Sequence, residues 1–512
     1  MVVGAAGAAE PDGAAGRARR RRLVGLLALF ASLRIALLAA TLPIFVHLDE
    51  DAHFDTVHKY ARGQWPEPGS DRYDPEVADI GTRFQSGDWL VAPDPDPRKR
   101  VLPGVFVDPR LRARDPAAAA MAADPTTVAA IETMLARNIE AARDRSPNYE
   151  AFEPPAYGLF AGTWLRFGRM LGVDGAAQVL WVRLLGALFA AGAVLLTYRL
   201  ACVAVPGVPS VALGAALLVA VAGQDVAACV SNDAPDLLLG PATLLCAFAL
   251  SSRPCRGSLA FVGGVVLALP LLAKLTTLHA SAAAWLLLLI RCGREWRRLV
   301  PIACGFLVPI VAWVLYARIV LGMWHGGEHK VALTHLGPQT LDGLLHHPMF
   351  TPAGAWTFFS EIATQLWRGD LWFHGHPLRH VWMDLGYLVL PTVGLFALLR
   401  NREPRLRSTR GAGLALGASV AFAVLVMAGI SLAWNFDHAS FPTREHPYFT
   451  QGRLVAACLP ALAILTTLGF ARLLGPRGGL VLTAVFALVM LGSGIALHWP
   501  IYTSSHSVWR LI

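Results

Sequence analysis

The residues with the clearest chemical potential are three consecutive acids, Asp49-Glu50-Asp51, set between His47 and His53. They start about three residues beyond a long apolar run that ends near residue 46. Carboxylates so close to a hydrocarbon boundary lose solvation unless a metal, a cation or water compensates. Asp49 and His53 are spaced i, i+4, so a helix puts both on one face. Such a pair can take a proton or hold a divalent ion. The ordinary alternative is a solvated helix N-terminus, where acids suit the macrodipole.

Three further signals follow along the chain. Glu150-Ala151-Phe152-Glu153-Pro154-Pro155-Ala156-Tyr157 puts two acids before a Pro-Pro. It is also an ordinary helix start, because Pro is at home in a first turn. Ser231-Asn232-Asp233-Ala234-Pro235-Asp236 lies between two apolar spans, where an acid is also a common turn former. Lys274 closes one apolar span and Arg453 opens another, in Gln451-Gly452-Arg453. Cations at that depth suit a phosphate headgroup, which Arg binds as a fork. Their plain alternative is snorkelling to bulk lipid. Histidines at 325, 329, 335, 346, 347, 374, 376 and 380 match no zinc spacing.

Composition says what must carry these residues. Of the 512 residues, 55% are hydrophobic and 15% charged, against about 25% charged in soluble domains. Mean hydropathy is +0.49. A soluble globular enzyme and a disordered chain are excluded. The seven cysteines lie in or beside apolar spans, which argues against a disulfide framework or a zinc finger. The net charge of +9 matters less than where the basic residues fall.

Residues 1–22 end in Arg17, Arg19, Arg20, Arg21 and Arg22, and an apolar run follows from 23 to 46. That run is longer than a signal-peptide core and is expected to be the first transmembrane helix. Arg34 lies inside it, where snorkelling or packing within the bundle is the simplest role. Further apolar spans lie at about 180–201, 208–230, 236–251, 258–273, 276–291, 299–321, 382–400, 411–433, 452–473 and 478–498. Segment 155–172 is apolar but holds Arg166 and Arg169. If it does not cross, every basic cluster between spans falls in the cytoplasm, as the positive-inside rule requires. The expectation is therefore an all-α polytopic membrane protein with about eleven transmembrane helices, in which 155–172 lies in the outer interface.

The expected organisation is a cytoplasmic basic tail (1–22), a first span (23–46) and an extracytoplasmic loop with interfacial helices and the acids (47–179). Spans two to seven (180–321), a second extracytoplasmic loop (322–381), spans eight to eleven (382–498) and an extracytoplasmic tail (499–512) follow. The sequence from 49 to 63 reads as a helix with Phe54, Val57 and Ala61 as its apolar stripe. Residues 66–125 are rich in Pro and Asp and have no clear period, while 126–144 look helical again. Segment 352–372 looks amphipathic, with Trp356, Phe359, Trp367 and Trp372 suited to a membrane surface. No internal repeat is evident, which speaks against an inverted-repeat transporter.

In this order, the four signals resemble bacterial GT-C-type glycosyltransferases, nearest to a bacterial membrane family long labelled only as a domain of unknown function. Aminoarabinose transferases and protein O-mannosyltransferases are more distantly similar. The matching elements are Asp49-Glu50-Asp51-Ala52-His53-Phe54, Pro154-Pro155-Ala156-Tyr157, Asn232-Asp233, Leu272-Ala273-Lys274-Leu275-Thr276 and Gln451-Gly452-Arg453. The chain departs from the family pattern at Ala156, where Leu is usual, at Gly158, where a second Tyr is usual, and at Ala273, where Thr often precedes the Lys.

The resemblance implies transfer of a hexosyl or pentosyl group from a polyprenyl-phosphate donor to an acceptor hydroxyl on the outer face of the plasma membrane, with inversion. The acceptor would be a glycan, a lipid or a protein, and no nucleic acid is implied. Asp49 would be the base, and Glu50, grouped with it as catalytic, would with Glu153 and Asp233 position the acceptor or a divalent metal. His53, Glu153, Asp233, Lys274 and Arg453 would bind substrate, the two cations holding the leaving phosphate. A divalent cation, Mg or Mn, would use Asp49, Glu153 and Asp233. A lipid-linked sugar flippase or transporter, or a non-catalytic envelope scaffold, would share the topology without needing a base at Asp49.

Overall fold

The computed structural model describes residues 14–45, 49–85, 101–143, 147–223, 225–252, 255–373, 376–400, 410–437, 439, 442–503 and 506–511. These are almost entirely helical. The strands among them are two two-residue antiparallel ladders, Gly337–Pro338 with Trp434–Asn435 and Trp372–Phe373 with His376–Pro377. His47 and His374 lie outside the described residues, as do the side chains of Trp372 and His376.

Among the described residues, six helical stretches are long and apolar enough to cross a membrane. They are Ala14–Thr41, Ala177–Ala204, Leu275–Leu321, Val381–Leu399, Gly411–Ala433 and Gly452–Tyr502. Three shorter apolar helices, Pro209–Val221, Asp236–Ser252 and Gly257–Ala273, pack among them. The two longest stretches are composite. Leu278–Cys292 turns into Trp296–Tyr316, and Leu459–Tyr502 breaks at Gly475, where φ is +75° and Pro476 follows. The first helix lies along Ala177–Ala204, and Pro209–Val221 lies along Leu459–Tyr502. Their small residues, Ala28, Ala31, Ala190, Ala193, Ala212 and Ala215, are buried where the helices meet.

Two expected boundaries move. The first helix starts at Ala14, so the basic run Arg17–Arg22 is helical rather than a separate tail, and it stops at Thr41, ahead of Pro43. The last helix continues to Tyr502, into the expected 499–512 tail.

A second core covers one end of the bundle. Helix Glu50–Ala61 buries Phe54, Val57 and Ala61 as the sequence stripe predicts. Helix Ala156–Met170 lies against it, with Gly158 and Gly162 facing the Tyr60 ring and backbone so closely that a Cβ at either position would fall within 3 Å. The stretch 66–125 without visible period contains short helices that begin at Asp-Pro pairs. Asp74, Asp108 and Asp115 accept from the backbone N–H groups of Glu76, Arg110 and Ala118, and Pro75, Pro109 and Pro116 open the helices. Asp124-Pro125 starts Pro125–Arg143 in the same way, with Asp124 accepting from Thr126 N–H.

In helix Pro352–Arg368, Trp356 and Phe359 are exposed as expected. Trp367 is a correction. It is buried, edge-on to Phe486 at 5.5 Å between ring centres. The amphipathic period places Trp367 on the same turn as buried Thr364, facing the bundle instead of a membrane surface.

Candidate active site

The acids and cations singled out in the sequence come from five separate elements and meet at one end of the bundle. Asp49 precedes the Glu50–Ala61 helix at φ +69°, a left-handed conformation that Asp tolerates better than most side chains. This turn sets Asp49 and Glu50 on different tasks. Glu50 is wholly buried, and both its oxygens receive Arg183, from Nε and Nη2 at 2.7 Å each. Val230 N–H donates to the same carboxylate at 2.9 Å. Arg183 also donates to the carbonyls of Ala39, Leu42 and Pro43 at 2.6–3.0 Å, which satisfies the end of the first helix. Glu50 therefore staples three elements together, with both oxygens engaged by Arg183.

Asp49 faces the cluster. Tyr149 donates a hydrogen bond to Oδ1, and Arg453 Nη2 lies 3.7 Å from Oδ2. Burial would raise its pKa, but Lys330, Arg453, His53 and the Tyr149 hydrogen bond outweigh that and hold the carboxyl well below the usual range. Tyr149 is set by Asn148, whose Nδ2 donates to Ala52 O at 2.9 Å and to Asp55 at 2.7 Å. The same loop brings Glu150 over His53. Lys330, from helix Gly327–Leu333, pairs with Glu150.

Asp233 is buried and receives Lys274 Nζ at 2.5 Å, with Arg453 Nε 3.6 Å from its other oxygen. Burial opposes its ionisation, yet Lys274 and Arg453 hold its pKa down. Lys274 reaches it because helix Gly257–Ala273 ends there in an extended residue at φ −161°. Arg453 also approaches Asp370 at 3.7 Å, and Asp370 N–H donates to Asp225 at 2.9 Å. Gly452 lets this segment lie on helix Pro352–Arg368, since a Cβ there would fall 2.4 Å from the Gln365 carbonyl carbon.

Glu153 is half-buried and differs from Asp49. Burial, then the neighbouring Glu150 and Asp233 charges, push it up to about 7 against the pull of Lys330 and Lys274. His53 is buried, and burial lowers its pKa despite Glu150 and Asp49.

One oxygen or nitrogen from each of Asp49, His53 and Glu150 lies within 4.8 Å of the others. That donor set suits a divalent ion, although Lys330 already neutralises Glu150. The expected trio of Asp49, Glu153 and Asp233 is not the group the fold gathers, because Asp233 is occupied by Lys274 and Arg453.

Several participants escaped the sequence reading: Tyr149, Asp225, Lys330 and Asp370. Asp370 carried a faint signal, an acid directly after the Gly369 that ends helix Pro352–Arg368. Lys330 carried another, as one of only four lysines in the chain. Beside Lys274 and Arg453, the side chains of Asn232 and Asp236 are buried with no hydrogen-bond partner among the described residues, and so is Gln451 Oε1. Buried polar groups of this kind are costly unless water or a ligand meets them.

The chain matches no family model and no curated protein.

Proposed function

We propose that this protein is an integral-membrane glycosyltransferase of the GT-C type, moving a hexosyl or pentosyl group from a polyprenyl-phosphate donor to an acceptor hydroxyl at the outer face of the plasma membrane. The observation that carries the reading is Arg453, set among Asp49, Asp233 and Asp370 with Lys274 beside it. Cations in contact with a potential base, at the end of apolar helices, are what displacement of a lipid phosphate requires.

In the proposed reaction, Asp49 takes the acceptor hydroxyl proton while that oxygen attacks the anomeric carbon. The bond from that carbon to the phosphate oxygen breaks, and the polyprenyl phosphate leaves with the electron pair. Arg453 and Lys274 stabilise its growing charge. One-step displacement inverts the anomeric centre. A donor phosphate drawn to Arg453 competes for that cation and lets the Asp49 pKa rise toward a useful range. Glu153, His53 and Asp233 position the substrates or a cation, and Glu50 acts only through the fold. A divalent ion, where one is used, would be held by Asp49, His53 and Glu150 and would supply positive charge toward the phosphate.

A lipid-linked donor is supported by a half-open apolar cavity of about 680 Å³. It is lined by the first helix (Leu33, Leu37), the last helix (Ile495, Trp499), Trp367 and Arg368. Asp370, two residues beyond Arg368, faces Arg453. The eleven-span topology is supported by the helix order, because both composite stretches divide at bends into two successive apolar helices. Positive-inside placement then puts the cluster outside and the N-terminus in the cytoplasm.

The test is transfer from a radiolabelled panel of polyprenyl-phosphate sugars in membranes, comparing wild type with Asp49→Ala and Arg453→Ala. Transfer by wild type that collapses in both variants at equal expression supports the reading. Equal transfer by wild type and Asp49→Ala removes Asp49 as base. Lipid translocation without transfer favours the flippase.

A further inference from the structure

A second, smaller cavity of about 210 Å³ lies beside the Glu50–Ala61 helix. It is lined by Thr56, Lys59, Tyr60, the 64–72 turn and Ala151. The turn is preformed. Lys59 Nζ donates to the carbonyls of Ser70 at 2.7 Å and Arg72 at 2.6 Å, and Tyr316 donates to Pro66 O at 2.7 Å.

Two observations point to a ligand. Trp65 is 49% exposed although its ring packs edge-on against Tyr60 at 5.7 Å and against Tyr316 at 6.0 Å. A half-exposed indole braced by two neighbouring rings can act as a stacking platform. The second is Tyr60, only 7% exposed, whose hydroxyl is buried with no hydrogen-bond partner among the described residues. A buried phenol normally finds one.

The surrounding side chains are polar and balanced in charge. Gln64 and Ser70 are neutral, Glu67 offsets Arg72, and Lys59 is matched by Asp55 at 2.5 Å. The combination suits a neutral, polyhydroxylated ring with an apolar face. The wall is shared with the candidate active site, since Thr56 Oγ1 donates to Glu150 O at 3.4 Å, and Glu150 pairs with Lys330 in the cluster.

We propose that this cavity is a saccharide subsite that stacks a neutral sugar ring on Trp65. We further assign that ring to a glycan acceptor, at a unit removed from the reacting hydroxyl. Saccharide binding stands on the cavity alone, whereas the acceptor assignment rests on the transferase reading.

The test uses the full-length protein in nanodiscs and saturation-transfer NMR with short neutral oligosaccharides of galactose, arabinose, glucose and mannose. Wild type should bind at least one series. Trp65→Ala should weaken that binding by about tenfold or more, and Trp65→Phe should restore part of it. Tyr60→Phe, which removes only the hydroxyl, should weaken it by a smaller factor. No binding by wild type to any series, or equal binding by wild type, Trp65→Ala and Gln64→Ala, would overturn the subsite. Binding that depends on Trp65 in a protein that never transfers sugar would sink the transferase reading and leave the subsite standing. Transfer in which Trp65→Ala leaves acceptor KM unchanged would sink the acceptor assignment alone.

Discussion

Asp49 and Glu50 are neighbours in sequence and nearly identical in chemistry, yet a single left-handed residue separates their fates. Asp49→Asn keeps the Tyr149 contact geometry but cannot accept a proton. Transfer should fall by about 10²–10⁴-fold with expression unchanged, measured with labelled donor in membranes. A rate within threefold of wild type would move the base elsewhere. Arg453→Ala removes a cation from the leaving phosphate and should cost about 10²–10³-fold. Arg453→Lys should recover part of this, because charge survives while the fork does not. Glu153 sets the pH dependence. Its carboxyl is pushed up to about 7 by burial first and by Glu150 and Asp233 next, so it is mostly protonated below that pH and ionised above it. If its carboxylate positions the acceptor, transfer falls as pH drops through about 7, and Glu153→Gln abolishes that limb. A profile in Glu153→Gln that still falls there would assign the limb to another group.

At the scale of elements, the Glu50–Arg183 pair holds the first helix, the acidic helix and the 225–235 turn in register. Arg183→Met leaves a buried carboxylate without its partner and should lower stability by about 3–5 kcal/mol. Arg183→Met combined with Glu50→Gln should recover much of that loss, because the charge left behind is gone. Thermal unfolding in detergent checks both, and a double variant no more stable than the single would contradict the staple. The Asp-Pro starts of the 66–125 helices were present in the sequence as capping signals. They were obscured because each helix is too short to display an apolar period. The same limit hid Lys330, which lies on a seven-residue helix in a segment read only for its histidines.

At the scale of the whole molecule, helix lengths and basic clusters make the topology testable. In a background retaining only Cys255, a membrane-impermeant maleimide should label the protein only after permeabilisation, because Cys255 adjoins Arg256, which the proposed eleven-span arrangement puts in the cytoplasm. A cysteine introduced by Trp356→Cys, at an exposed position that the same arrangement puts outside, should label in intact cells. Labelling of both in intact cells would rule out the eleven-span arrangement.

Composition and hydropathy by themselves determined the helical membrane class, because spanning a bilayer demands long apolar runs whose backbone groups bond internally. The spacing of Phe54, Val57 and Ala61 determined the acidic helix, because a local period survives in any surroundings. The sequence also singled out Asp49, Asp233, Lys274 and Arg453 by their unusual depth. Only the tertiary structure decided how they pair, since the partners lie far apart along the chain and are chosen by which helix ends meet. It paired Glu50 with Arg183, gathered Glu150 and His53 beside Asp49, and brought in Lys330 and Asp370. Ionic partners recognise distance and burial, and neither quantity is written in residue order.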